Sequence, residues 1–505
     1  RVPRLLAALG AAIAVAGVGL GTWLIVHRAT GPGVVAGAAA HPGAPIESPA
    51  TQPSIAVLPF VDESEKRDQG YFSDGLSDEL IQLLAKIPGL RVPARTSSFY
   101  FKGRQATLED IGRLLNVANV LEGSVRKSGN ALRISAEVVR VADDTRLWSA
   151  TYDRTLDDVF KVQDDIAGSV VSALKVSLLG EPTPRAAPTR NSDAYLHYLR
   201  AEEAWRTGGG SATAATATAE LRQAVALDPS FAPAWRELGS SYVTGFAAFG
   251  IGTYPTVHRE ALDALQRSLE LDPKSADTLV GLADLYYTLD WDIATAVPKL
   301  NRALELDPNN VEGVSLKGYI ADSAGQFDEA IAMHRRALGI DPLTVSNYIQ
   351  LGNAYYRAGR LDEGVEVLQE ALKRFPDANS VHYRLALLLL AQHHADAALA
   401  EFALEQSTAF RLLGMPLALD RLGRHEEADR SVAQALADPT VTSGAAYQAA
   451  IAYAGRGDAD HTFEWLERAY RQRDAGMHWM KFDPLLQPLR QDPRFKALLA
   501  QMHES

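Results

Sequence analysis

Two aspartates at a spacing suited to acid/base chemistry stand near the beginning of a globular stretch. Asp74 and Asp78 lie in the run YFSDGLSDEL, where paired carboxylates could serve as a general acid and a general base. Ser, Asp and Gly ahead of an apolar helical run are also ordinary helix-start signals. The tandem pair His393-His394 has no further metal ligand near it in sequence, so a solvated turn explains it as well as a metal site does.

Other signals for catalysis are absent from the sequence. It has no HExxH, GxSxG or GxxxxGK[ST] motif, and no kinase or calcium-loop signature. It contains 0 cysteines, which excludes a thiolate nucleophile and Cys-ligated zinc. The net charge of -12 argues against nucleic-acid binding, because phosphate recognition needs clustered Lys and Arg. We therefore predict a chain that is not an enzyme and that uses no cofactor and no metal.

The first element that would position the rest is an apolar run from Leu5 to Val26. It contains 22 residues without a charge and would span about 33 Å as a helix, enough for a bilayer core. A cleaved signal peptide is the alternative, although secretory apolar cores are usually shorter. We predict a transmembrane anchor over residues 1–28, and Arg1 and Arg4 slightly favour a cytoplasmic N-terminus. This places the chain in the inner (cytoplasmic) membrane as a single-pass protein with its bulk in the periplasm.

Two further features accompany this anchor. Gly17 and Gly21 form a GxxxG pair, a spacing that lets two membrane helices approach closely as a homodimer and that also arises by chance in Ala/Gly-rich segments. Residues 29–53 are rich in Gly, Ala and Pro and nearly uncharged, so they are predicted to form a flexible linker.

The pattern changes at Ser54 to that of a mixed α/β domain over residues 54–181. One helical face carries Leu76, Leu80, Leu83, Leu84 and Ile87, and capping boxes at Thr107 with Asp110 and at Thr155 with Asp158 predict two more helices. The strands are predicted, in chain order, at residues 54–60, 90–94, 117–127, 132–138 and 145–152. The resulting order is βαβαβββα.

Several dispersed motifs in this region resemble the TolB-like amino-terminal domain. They are IAVLPF, YFSDGLSDELI, RVPARTSSF, VLEGSVR and YDRTLDDVF, in that order. The resemblance implies a periplasmic or extracytoplasmic module of bacterial signalling proteins, often placed just after a transmembrane helix. It implies no catalytic residues.

Beyond a second linker at residues 182–190, the chain repeats. The prolines of four DP pairs and one FP pair step by 44, 35, 34 and 34 residues, from Pro229 to Pro376. A period of 34 is that of the tetratricopeptide repeat, a helix pair that buries its apolar face against neighbouring pairs. We predict an all-α tetratricopeptide solenoid over residues 191–437, with atypical closing repeats and a polar cap over residues 438–505.

The repeat register predicts a concave groove that binds a protein or peptide partner. Tetratricopeptide first helices line such a groove, and Tyr, Asn and Arg supply flat apolar area and directional hydrogen bonds. Solvated helix faces would give the same pattern. The groove positions are Arg236, Asp284, Tyr287, Ser315, Tyr319, Asn353, Tyr356 and Arg357.

Together these features predict a membrane-anchored, non-catalytic interaction or sensory module. Since the chain opens with Arg1 rather than Met, we expect a fragment whose cytoplasmic output domain lies upstream. The resemblance implies a winged-helix DNA-binding domain, which we slightly favour, an adenylate or guanylate cyclase, or a serine/threonine kinase. An envelope scaffold without an output domain is a further alternative. The sequence does not identify the ligand, the output domain or the oligomeric state.

Overall fold

The computed structural model describes residues 53–87, 89–174, 189–207, 210–438, 441 and 444–504. Residues 53–174 belong to a compact sheet unit, and residues 210–504 belong to a compact helical unit. No helix in the described ranges is both long and apolar enough to cross a bilayer. The predicted anchor Leu5–Val26, most of the first linker and most of the second lie outside these ranges.

The sheet unit places helices beside a mixed sheet. Its strands follow the order β1-β3-β4-β5, and β2 also pairs with β3. β1 and β2 run parallel to β3, whereas β3, β4 and β5 form an antiparallel meander. The elements are β1 (Ile55–Val57), β2 (Val61–Asp62), α1 (Gly70–Ala85), α2 (Arg95–Phe99), α3 (Leu108–Leu115), β3 (Asn119–Ser128), β4 (Ala131–Arg140), β5 (Thr145–Thr155) and α4 (Val159–Ala173).

The predicted faces account for the core of this unit. Leu76, Leu80 and Leu84 of α1 are buried, and Leu83 and Ile87 are half-buried. The Thr107 side chain accepts a hydrogen bond from the Asp110 backbone N–H and so begins α3, as the capping box predicts.

The capping prediction at the start of α4 is only partly right. Thr155 Oγ1 donates to Asp158 Oδ2 at 2.8 Å, but the Thr155 side chain caps no backbone N–H. The prediction of a strand over residues 90–94 is wrong: this stretch makes one isolated bridge, between Ser54 and Arg91. Pro93 has no N–H to donate to a ladder, and α2 begins two residues later.

The helical unit is a tetratricopeptide solenoid in which consecutive helices pack in pairs. Its helices are α5 (Ser192–Thr207), α6 (Ser211–Leu227), α7 (Ala232–Phe249), α8 (Tyr254–Leu271), α9 (Ala276–Leu285), α10 (Ile293–Leu306), α11 (Val311–Ser323), α12 (Phe327–Ile340), α13 (Val345–Arg357), α14 (Leu361–Arg374), α15 (Val381–Ala391), α16 (Ala395–Leu404), α17 (Thr408–Arg421), α18 (His425–Ala437), α19 (Ala446–Gly455), α20 (Ala459–Gln472) and α21 (Pro493–Glu504).

Small residues set the spacing between the two helices of a pair. A Cβ added to Gly352 of α13 would lie 2.8 Å from the Leu368 side chain of α14, so only glycine allows this approach. The second helices bury alanine fully at Ala303, Ala337 and Ala371, as the repeat register predicts. Close contacts of this kind let the two helices of a pair share an apolar core.

In the described part of the array, a π-helical turn and two 3₁₀ turns interrupt the regular pattern. A π-helical turn, Tyr286–Asp290, follows α9, and Trp291 then adopts φ +59. Two 3₁₀ turns, Ala475–Trp479 and Pro484–Leu489, lie between α20 and α21. We refer to residues 474–489 as the closing segment.

Candidate functional site

The predicted groove residues lie on the first helices of their pairs or directly after them. α7 carries Arg236, α9 carries Asp284, and the π-helical turn carries Tyr287. The remaining residues lie on α11 and α13, and they are Ser315, Tyr319, Asn353, Tyr356 and Arg357. Their role in binding stays a prediction.

The structure brings some of these residues together and separates others. Asp284, Tyr287 and Tyr319 line one small cavity, and the Tyr287 hydroxyl lies 3.4 Å from the Tyr319 carbonyl oxygen, to which it donates. Asn353 donates to Gln350 of its own helix at 3.4 Å. Tyr356 packs beside a separate cluster around α15 to α17.

Two of the predicted groove tyrosines are buried in the structure. Tyr287 is 1% exposed and Tyr319 is 4% exposed, and Asn353 is also buried. Burial raises the pKa values of both tyrosine hydroxyls far above their ordinary range. The closing segment covers the groove at Tyr287 and at the wall of the cavity that Tyr319 shares.

Aromatic contacts hold the closing segment in the groove. The His478 ring stacks on Tyr287, with centroids 4.2 Å apart and an angle of 16° between the planes. The Arg357 guanidinium lies 5.2 Å from the centre of the Trp479 ring, within cation–π range. Phe482 meets Phe327 of α12 edge to face at 5.6 Å. The segment thus touches at least three successive repeats.

Arg473, directly before the closing segment, ties the end of the array to an early repeat. Its guanidinium lies 4.0 Å from the Tyr254 ring centre and 4.9 Å from that of Trp291. It also donates a hydrogen bond to the Leu289 carbonyl oxygen, 184 residues away in sequence. The end of α20 therefore contacts α8 and the turn after α9.

Asp483 brings a carboxylate into the middle of the groove. It accepts hydrogen bonds from the Tyr447 hydroxyl at 3.0 Å and from the Leu485 backbone N–H at 2.9 Å. Burial raises its pKa, while the charges of Arg357 and Arg384 act in the opposite direction. The aspartate is thus the acidic group that faces two buried guanidinium groups.

The two arginines differ in how fully their guanidinium groups are hydrogen-bonded. Arg357 Nε donates to Asp322 Oδ1 at 2.9 Å, and the two side chains form a buried ion pair. Arg384 stacks over Tyr383 at 5.2 Å, but its buried Nε finds no hydrogen-bond partner among the described residues. Burial lowers the pKa of Arg384, as expected for a cation removed from water.

The opposite face of the closing segment belongs to the core of the last helices. Met477, Met480 and Leu486 are fully buried among residues of α19, α20 and α21. The closing segment therefore turns inward, where we had expected a polar cap. A signal for this was present in the run MHWMKF, which is denser in Met and aromatic residues than a polar cap would be.

A cavity of about 20 Å³ remains between the segment and the groove, with room for about one water molecule. Three of its lining residues are Asp284, His478 and Trp479. Burial raises the pKa of Asp284 to about 7 and lowers that of His478 to about 3, which keeps the imidazole neutral. Neither His478 Nε2 nor Trp479 Nε1 has a hydrogen-bond partner in the described ranges.

An acidic region on the inner side of the early repeats surrounds Arg236. This arginine pairs with Glu237 and lies 3.8 Å from Glu312. Burial raises the pKa of Glu237 to about 8 against the opposing charge of Arg236, and Glu202 and Asp277 raise it further. Acidic side chains therefore outnumber the arginine in this region.

The aspartates considered for acid/base chemistry are held in buried ion pairs. Asp74 pairs with Lys102, and Asp78 lies 3.2 Å from Arg95 Nε. Both lie inside α1, which begins at Gly70, so the interpretation of these aspartates as helix-start signals is wrong. Each carboxylate has a cationic partner from a distant part of the chain, an arrangement that fixes structure.

The histidine pair occupies an exposed turn, as one of the two interpretations predicts. His393 adopts φ +65, and His394 precedes α16. Within the described ranges, no group of three or more His, Asp or Glu side chains is arranged to hold a metal ion.

Comparison with known proteins identifies the repeats. Residues 292–343 and 349–409 match the tetratricopeptide repeat family. The chain therefore contains tetratricopeptide repeats, which form a protein–protein interaction module.

One curated relative and several solved structures are similar to parts of the chain. A "putative adenylate cyclase 3" of Rhizobium meliloti is 36% identical over 253 residues, which are 50% of this chain and 42% of that protein. The crystal structure of PilW, a type IV pilus biogenesis factor, shares 20% identity at a TM-score of 0.35 and covers 42% of this chain and 92% of its own. A tetratricopeptide repeat protein from Parabacteroides merdae shares 15% identity at a TM-score of 0.37, and the match covers 49% of this chain and 93% of that protein's chain.

Proposed function

We propose that this chain is the interaction or sensory region of a bacterial signalling protein, held at the inner membrane by residues 5–26. The observation that carries the proposal is the repeat array, which has the architecture of a protein-binding scaffold and is joined to a sheet unit. In this view the repeats contact another protein, and the sheet unit is a TolB-like module between the membrane and the array.

The sheet unit supports this assignment through the location of the motifs that suggested it. IAVLPF contains β1, YFSDGLSDELI forms most of α1, and VLEGSVR lies within β3. The strands of IAVLPF and VLEGSVR, β1 and β3, lie side by side in the sheet, and α1 packs against β1. The motifs thus form one buried centre, as expected for the signature of a domain.

The described side chains offer no catalytic arrangement that competes with this function. Four buried ionisable groups pair with or face opposite charges or hydrogen-bond donors, and they are Asp74, Asp78, Arg357 and Asp483. A binding role requires none of them to exchange protons with a substrate.

Photo-crosslinking on the intact chain in cells tests the interaction role. A photoreactive residue at Ser315, half-buried on the inner side of α11, should form an adduct with a second protein. The matched control is Glu305 on the second helix α10, whose side chain is 66% exposed. Adducts at position 305 alone would move the binding surface to the outer side. No adduct at either position would count against the interaction role of these repeats.

Fusions at the C-terminus test the membrane topology. Alkaline phosphatase placed after Ser505 should be active, and a fluorescent protein that matures only in the cytoplasm should stay dark. The opposite pair of results would place the repeats in the cytoplasm and contradict the sensory role outside it.

A second candidate is the non-catalytic region of an adenylate cyclase. The relative named as a putative adenylate cyclase favours it, and the match spans less than half of that protein, so its remaining length lies outside the similarity. The 505-residue chain itself should then form no cyclic nucleotide from ATP or GTP. An upstream reading frame encoding a cyclase domain would support this candidate, and a winged helix there would support a transcriptional regulator instead.

A further inference from the structure

We propose that the closing segment is an intramolecular ligand of the groove, and that the groove's partner is a short protein segment of the same chemistry that displaces it. That chemistry is two aromatic side chains three residues apart, followed by a carboxylate, as in Trp479, Phe482 and Asp483. The proposal rests on the proposed interaction function and adds to it the class of partner and the means of regulation.

The first argument is that the segment presents different chemistry on its two faces. Met477, Met480 and Leu486 point into the core of the last helices, as an ordinary cap would require. His478, Trp479 and Phe482 instead meet Tyr287, Arg357 and Phe327 of the array. A cap needs only the first set, whereas the second set resembles a peptide anchored in a groove by its aromatic side chains.

The second argument is the charge of the groove. Asp322 neutralises Arg357. Arg384 has no ion-pair partner among the described side chains. The carboxylates of Asp483 and Glu405 are near enough to Arg384 for their charges to raise its pKa. Glu405 is already engaged by the backbone N–H groups of Ser380 and Tyr383. The charge of Arg384 therefore favours a carboxylate at the position of Asp483.

The third argument is that the docked segment leaves buried polar atoms without hydrogen-bond partners, both on the segment itself and on the groove. His478 Nε2, Trp479 Nε1 and Arg384 Nε are buried without hydrogen-bond partners in the described ranges, and a small cavity lies beside the first two. A buried donor without an acceptor opposes the docking of the group that carries it. A partner segment that supplies an acceptor to Arg384 Nε, and that buries no unpaired donor of its own, would bind better than the chain's own segment does.

Opening of the segment can be measured on the unmodified 505-residue chain by native-state hydrogen exchange. The amides of Phe482, Asp483 and Leu486 donate only to carbonyl groups within the segment. We expect them to exchange at least about tenfold faster than amides within α13, by a local opening that is insensitive to low denaturant. If they exchange only with global unfolding, the segment is a fixed part of the core and the proposal is overturned.

Recognition can be measured with a fluorescent peptide of residues 474–489 added to the full chain. The variant Trp479→Ala/Phe482→Ala weakens the internal ligand and should bind the peptide at least about tenfold more tightly than the unmodified chain, because a larger fraction has an open groove. Gln487→Ala, an exposed position in the same segment, is the control and should bind like the unmodified chain. A peptide with Asp483→Asn should bind the double variant more weakly than the natural peptide.

The outcomes separate the two proposals. If the variant folds and no peptide binds, or if the variant unfolds and the unmodified chain shows no local opening, the internal-ligand proposal fails. Crosslinks at Ser315 to a second protein would still support the interaction function in that case. Peptide binding without any crosslink would support the internal ligand and count against the proposed function.

Discussion

The contact between the closing segment and the turn after α11 is sensitive to a single added carbon. Gly325 adopts φ +77, and a Cβ built there would lie 2.5 Å from Cζ of Phe482. Gly359 occupies the same turn one repeat later with φ +72, and nothing lies within 4 Å of its Cβ position. Gly325→Ala and Gly359→Ala therefore share the backbone strain of a left-handed residue, and only the first displaces Phe482.

Two contributions determine how much Gly325→Ala lowers the free energy of unfolding: the backbone strain and the displacement of Phe482. The left-handed conformation costs an alanine about 1–2 kcal/mol at either site. The forced displacement of Phe482 adds about 1–3 kcal/mol, the usual cost of overpacking. Gly325→Ala should thus lower the free energy of unfolding by about 1–3 kcal/mol more than Gly359→Ala does.

Urea denaturation of the full chain, followed by circular dichroism, measures this difference. A Phe482→Ala background removes the clash, so Gly325→Ala should then cost no more than Gly359→Ala does in the same background. Equal costs for the two glycine variants in the unmodified chain would refute the contact. A cost of Gly325→Ala that persists without Phe482 would show that another group resists the added carbon.

Three further predictions concern the groove residues. The pKa values of about 7 for Asp284 and about 8 for Glu237 lie above those of the unfolded chain, so the free energy of unfolding should fall as the pH rises from about 4 to about 8 and should level off above that. Denaturation at a series of pH values should show this fall, and Asp284→Asn/Glu237→Gln should lose most of it. Arg357→Leu should cost about 3–5 kcal/mol by leaving Asp322 buried and unneutralised, and a double variant that also changes Asp322 to Leu should recover most of this in chemical denaturation. Tyr287→Ala should cost about 3–5 kcal/mol in the same assay, in contrast to less than about 0.5 kcal/mol for an exposed groove residue.

The repeat fold was predictable because its physical requirements are local. A helix pair that packs only on its neighbours needs small residues at fixed positions, and Gly352 and Ala337 stand where close approach demands them. The hairpin of β3 and β4 was equally predictable, since turn residues join two alternating strands. The strand predicted at residues 90–94 was wrong because an apolar pattern does not take account of Pro93, which has no backbone N–H to donate to a sheet.

The repeat register predicted which helices carry the groove positions, but it did not predict how far their side chains are buried. The repeat pattern predicts contacts between neighbouring helix pairs only. Tyr287 is instead covered by His478, which lies far away in sequence. The same holds in the sheet unit, where Asp74 finds Lys102 28 residues away. Contacts at such separation depend on how each unit folds as a whole, which no short window of sequence expresses.

The covering of the groove by residues 474–489 also sets an order of events during synthesis. The last helix of the predicted array ends at Ala437, about 50 residues before the closing segment is complete, so a ribosome adding roughly 5–20 residues per second takes roughly 3–10 seconds to supply it. Throughout that interval Tyr287 and Tyr319 lack the cover that the finished chain provides. The nascent array presents an apolar inner surface to chaperones and to any neighbouring chain until its final residues emerge.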